Sequence, residues 1–122
     1  MEPHNGQKKA LIVDDEKTWR DTVSSAVSRH GYEALSASGA AQALELYKQN
    51  HPDLVFADYQ IGRDNGIVFA RKLRDYENEA GVRARIVLMS SDPVNFEGTD
   101  IDYFWHKTDL RALNCAISPE TH

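Results

Sequence analysis

The sequence predicts an α/β domain built on a parallel sheet with helices on both faces. Three observations carry this. Short apolar runs without alternation recur at residues 10–13, 54–57 and 86–89, the pattern of strands buried on both sides. Stretches with apolar residues at helical spacing stand between them. Glycine or proline follows those stretches, as at Gly31, Pro52 and Gly81. Strand and helix alternate five times, and right-handed crossovers then put helices on both sides of the sheet.

Each element has its own signal. Ala10 to Val13 form the first strand. Residues 15 to 30 present Trp19, Val23, Ala26 and Val27 on one helical face, ended by Gly31. Residues 32–37 mix polar and apolar side chains and read as a weaker edge strand. Ser38 is placed to cap a helix whose inner face is Ala40, Ala43, Leu44 and Tyr47. Leu54 to Ala57 form a third strand stopped by Asp58, and "YQIGRDNG" reads as a loop. Residues 67–80 form a helix with Phe69, Ala70, Leu73 and Tyr76 inward; "RKLR" at 71–74 reads as its solvated side with Leu73 turned in. Ile86 to Met89 form a fourth strand, residues 101–105 a fifth, and residues 109–117 a short last helix carrying Cys115.

The chain has 122 residues, enough for one domain with a single core. Residues 8–117 are taken as that domain, 1–7 as a flexible tail, and 118–122 as a second tail or the start of a linker. A net charge of -5 argues against direct nucleic-acid binding and against anionic membranes, which want a basic surface. The single cysteine, the polar start "MEPHNGQ" and the lack of a long apolar run lead to the expectation of a cytoplasmic protein.

The residues that follow the strands are chemically alike. Asp14 and Asp15 end the first run, Asp58 the third, and Ser90 and Ser91 the fourth; Lys107 follows the fifth. In a parallel sheet these ends share one edge, where such folds bind ligands. Three carboxylates, a hydroxyl and an ammonium should converge there. Oxygen donors of this kind suit Mg²⁺, usually held by one or two carboxylates and a phosphate. The histidines His4, His30, His51, His106 and His122 show no ligand spacing. An aspartate in such a site can accept a phosphoryl group as an acyl phosphate.

Five motifs in order, "LIVDDE" at 11–16, "PDLVFAD" at 52–58, "NG" at 65–66, "IVLMSS" at 86–91 and "YFWHK" at 103–107, resemble the receiver domain of two-component response regulators. The resemblance implies the flavodoxin-like strand order 2-1-3-4-5. It implies Asp14 and Asp15 as the acidic pair, Asp58 as the phosphoacceptor, and Gln60 lending its backbone carbonyl to Mg²⁺. It further implies Ser90 as switch hydroxyl, Phe104 as switch aromatic and Lys107 as site lysine. The implied partners are a sensor histidine kinase or histidine phosphotransfer protein, and an output protein or domain that the sequence does not name. Such a domain is no enzyme in the ordinary sense, since it catalyses only its own phosphorylation and slow dephosphorylation.

Three departures stand out. Receivers usually carry proline in a cis bond after the lysine; here Thr108 stands there, and a trans bond is expected with the loop displaced or strained. Gly62 stands where proline is usual and is expected to loosen its loop. The segment "SDPVNFEGTD" at 91–100 leaves room for a short fourth helix or none. These departures support an alternative, a pseudo-receiver used as a phosphorylation-independent binding module. A phosphohydrolase is disfavoured because Gln60 occupies the place of its acid/base aspartate. Nucleotide binding is disfavoured because no glycine-rich loop follows the first strand.

Overall fold

The computed structural model describes residues 7–118. Apart from Gln7 and Ser118, the tails expected at 1–7 and 118–122 lie outside the described residues. In order, the elements are β1 Lys8–Val13, α1 Lys17–Arg29, β2 Tyr32–Ala37, α2 Ala40–Asn50, β3 Leu54–Asp58, β4 Gln60–Ile61, β5 Asp64–Asn65, α3 Gly66–Ala80, β6 Arg85–Ser90 and β7 Tyr103–His106. A 3₁₀ turn at Leu110–Ala112 leads into α4 Leu113–Ile117. Five strands form one parallel sheet in the order β2-β1-β3-β6-β7; counted along that sheet alone, this is the expected 2-1-3-4-5. β4 and β5 make a separate two-residue hairpin inside the segment read as a loop.

Alternation along the strands divides the core in two. Ala10, Ile12, Phe56, Val87, Met89 and Trp105 face Val23, Ala26 and Val27 of α1 and Leu113, Ala116 and Ile117 of α4. Leu11, Val13, Val55, Ala57 and Ile86 face Ala43 and Tyr47 of α2 and Phe69, Ala70 and Leu73 of α3. The central strands are therefore buried on both sides, while β2 keeps half-exposed positions at the sheet edge.

No helix forms between β6 and β7. Residues 91–102 run as irregular backbone instead, with Gly98 at φ +73°. Phe96 stacks on Phe104, ring centroids 5.8 Å apart and planes 23° from parallel. Farther along, Arg74 grips the segment. Its guanidinium donates to the Asp100 carbonyl at 3.1 Å and pairs with Asp102 Oδ2 at 2.6 Å. The same side chain pairs with Glu77 at 2.7 Å, and the other Glu77 oxygen accepts from Tyr47 Oη and the Ala84 amide. Burial, and then the Glu77 carboxylate, push the Tyr47 hydroxyl well above its ordinary pKa, so it stays protonated.

Several sequence expectations need correction. Arg74 is buried, not solvated, because it serves that network, and Tyr76 is only half-buried. α1 starts at Lys17, after Glu16 as its cap residue. Ser38 does not cap α2. Gly39 stands at the cap position, and the Ser38 amide donates to Gln42 Oε1 at 3.3 Å. β7 begins at Tyr103, because Ile101 and Asp102 belong to the incoming segment. The last helix is interrupted, its first turn being 3₁₀. Gly62 adopts φ +58° in the β4–β5 turn, a conformation that proline, fixed near -65°, cannot take.

Candidate functional site

Asp14, Asp58 and Ser90 stand at the carboxyl ends of β1, β3 and β6, and Lys107 directly follows β7. The parallel sheet brings all four to one edge. The carboxylate oxygens of Asp14, Asp15 and Asp58 lie within 4.8 Å of one another. Lys107 Nζ lies 2.8 Å from Asp14 Oδ2 and 3.3 Å from Asp58 Oδ1. Asp15, Asp58, Gln60, Ser90 and Lys107 all line one open cleft.

Local structure fixes each group. Asp14 is fully buried, its Oδ1 accepting the Glu16 amide at 2.9 Å. Its backbone is held on both sides, the amide donating to Ala37 O at 3.2 Å and the carbonyl accepting from Arg20 at 2.9 Å. Asp15 is exposed at the mouth. Asp58 leans on Gly66, whose amide donates to the Tyr59 carbonyl at 2.7 Å. A methyl group on Gly66 would overlap the Asp58 carbonyl oxygen and stand 3.0 Å from Leu88 Cδ1, so the "NG" pair permits this approach. Asn65 supplies the other half, its side chain capping α3 through the Ile67 amide at 2.8 Å and the Val68 amide at 3.3 Å.

The Lys107–Thr108 bond is trans, and none of the non-glycine residues in that loop has a positive φ. The backbone there closes a hydrogen-bonded turn, Asp109 N to His106 O at 3.0 Å. Lys107 itself is tied to β6 by its amide, which donates to Ser90 O at 2.8 Å. Its ammonium sits 4.9 Å from the centroid of the Trp19 ring.

Electrostatics single out Asp58. Burial, and next the charge of Asp14, push its carboxyl up to about 6, against the opposing pull of Lys107. The Gln60 amide also favours the charged form. Gln60's side chain turns back to the Gly62 carbonyl at 3.0 Å. The Ser90 hydroxyl accepts the Asp92 amide at 3.0 Å, lines the cleft, and has no acceptor for its own proton among the described residues. Phe104 is not among the cleft residues; it sits half-buried between Phe96 and His106, 5.8 and 6.3 Å away between centroids.

The donor set fits a hard divalent cation. The clustered side-chain ligands are all carboxylate oxygens, and three carboxylates share the edge with one ammonium, which leaves an uncompensated negative charge. Sequence reasoning found all of these residues except Trp19 and Arg20. Both stand in the first turns of the helix that follows the acidic pair, a position that by itself does not mark them as site residues.

Comparisons with known proteins bear on the family and the fold. The sequence profile described as "Response regulator receiver domain" matches residues 10–99. The phosphate regulon transcriptional regulatory protein PhoB of Pseudomonas aeruginosa is 33% identical over 84 residues, 69% of this chain and 36% of that protein. The chain thus spans about a third of that relative's length. The chemotaxis response regulator CheY4 of Vibrio cholerae superposes with a TM-score of 0.80 at 17% identity, covering 95% of this chain and 99% of that one. The receiver domain of the histidine kinase CKI1 from Arabidopsis thaliana, complexed with Mg²⁺ and BeF₃⁻, gives a TM-score of 0.75 at 23% identity, covering 94% and 91%. At these identities the two structures speak to the fold alone.

Proposed function

This chain belongs to the response regulator receiver domain family, and from that premise we propose that it accepts a phosphoryl group on Asp58 from a phosphohistidine donor, in the presence of Mg²⁺, as a switch for protein–protein interaction. The observation that carries this reading is the Lys107 ammonium, set between Asp14 and Asp58 beside a three-carboxylate cluster.

In the transfer, an Asp58 oxygen forms a bond to phosphorus as the P–N bond of the donor breaks. The bonding pair leaves on the imidazole nitrogen. The transferred group carries spread negative charge, so alignment and neutralisation matter more than covalent help. Lys107 Nζ supplies one cationic contact to a phosphoryl oxygen. The Ser90 hydroxyl, with its proton uncommitted, supplies a hydrogen bond to another. Asp14, Asp15, Asp58 and the Gln60 carbonyl would hold the cation, which neutralises charge on the phosphoryl oxygens when bound. Asp58 must be ionised to attack; in metal-free protein its carboxyl is held up at about 6, and a bound cation would favour the charged form, so that transfer is lost only at lower pH.

The donor is a sensor histidine kinase or a histidine phosphotransfer protein, and the reader is an output protein or domain. No further turnover chemistry is assigned, since Gln60 cannot act as a proton-transferring acid/base. None of the described helices is long and apolar enough to cross a membrane, and a cytoplasmic site of action is part of the proposal. Purified protein incubated with Mg²⁺ and acetyl phosphate should gain one phosphoryl mass, lost on Asp58→Asn. The absence of a helix between β6 and β7 favours a second reading, a phosphorylation-independent binding module. No mass gain, or a gain that survives Asp58→Asn, would count against the first reading.

A further inference from the structure

We propose that Trp19 is a positioning residue for Lys107, its indole face holding the ammonium toward Asp14 and Asp58; this rests on the functional reading just given. The Nζ atom stands 4.9 Å from the Trp19 ring centroid, inside the range of cation–π attraction. Lys107 is only 4% exposed, so bulk water screens the contact little. Two carboxylates attract the ammonium, at 2.8 and 3.3 Å, and the ring closes another side.

The need for such a wall follows from the loop. Thr108 follows Lys107 through a trans bond. The backbone is anchored by Lys107 N to Ser90 O and by the turn to Asp109, but neither bond orients a flexible four-carbon stem. Trp19 is itself fixed. It meets Trp105 edge-on, centroids 6.1 Å apart, and Trp105 meets Phe56 in the same way at 6.3 Å. Trp105 Nε1 donates to the Asp109 carbonyl at 2.9 Å. One row of rings therefore joins α1 to β3, β7 and the loop that follows Lys107.

The experiment compares Trp19→Phe, which keeps a π face, with Trp19→Leu, which keeps apolar bulk without one. Each is made in the wild-type and Lys107→Met backgrounds. Acetyl phosphate with Mg²⁺ is the donor: its P–O bond breaks, the Asp58 O–P bond forms, and acetate leaves. Trp19→Leu should lower the rate at saturating donor by about three- to tenfold. Trp19→Phe should recover most of it, and Trp19→Leu should cost nothing further when Lys107 is Met. An equal loss in both backgrounds, or Phe no better than Leu, overturns the proposal.

A second measurement needs no activity. In metal-free protein the Lys107 ε-methylene protons should show an upfield ring-current shift, kept in Trp19→Phe and lost in Trp19→Leu. If wild-type protein takes up no phosphoryl group, the functional reading fails and this shift alone decides. Its presence, and loss in Trp19→Leu, upholds the positioning role; its absence from wild type overturns it.

Discussion

Lys107 Nζ lies 2.8 Å from Asp14 Oδ2, a contact between residues 93 positions apart and both almost fully buried. Burying that carboxylate is tolerable because the ammonium is there, and the reverse is equally true. Lys107→Ala should therefore destabilise the protein, by about 3 kcal/mol, through an uncompensated Asp14. Thermal unfolding in chelator should show the full loss, and added Mg²⁺ should restore part of it. An unchanged midpoint in chelator would contradict the pairing.

Asp58 carries the opposite sign. Its carboxyl is raised from 3.8 to about 6, so the folded chain holds a proton there that the unfolded chain has released. Stability from this group is thus lost as pH climbs from about 4 to about 6, and stays lost above. Asp58→Asn, in metal-free protein at pH 7.5, should raise the unfolding midpoint by about 4 °C, the size of a ~1 kcal/mol gain. At pH 4 the variant and the wild type should differ little.

Gly66 is required by space. Gly66→Ala forces its methyl against the Asp58 carbonyl, so α3 or the end of β3 must shift, at about 1–3 kcal/mol. Phosphoryl incorporation should fall along with stability. Gly62→Ala, which meets open space but carries φ +58°, should cost only about 1 kcal/mol and leave incorporation near wild type.

Arg74→Leu leaves Glu77 and Asp102 without their shared cation and the Asp100 and Ala84 carbonyls without a donor. A loss of about 3 kcal/mol is expected. Hydrogen exchange should quicken first at the Ile86 and Asp102 amides, which bond across the same junction.

The sequence was most readable where one physical signal acted alone. The runs at 10–13, 54–57 and 86–89 are apolar because both faces are covered, and each became a central strand. The acids were readable because strand ends in a parallel sheet are forced together. Arg74 was misread because an arginine in a helix belongs at the surface by default. Only Glu77, one turn along the same helix, and the Ala84, Asp100 and Asp102 partners supplied by two other segments reverse that preference. Ser38 was misread for a smaller reason, as the chain turned into α2 one residue later. The contact of Trp19 with Lys107 has no sequence signal, since any aromatic on that face of α1 would suit the core.

The twelve irregular residues that replace a helix between β6 and β7 have one mechanical consequence. A helix is a rod, and a small tilt at its base sweeps its far end through a large arc. This chain has no such lever beside Ser90. On this flank the segment is tied to its surroundings by single side chains instead: Ser90 to the Asp92 amide, Phe96 stacked on Phe104, and Arg74 on Asp100 and Asp102.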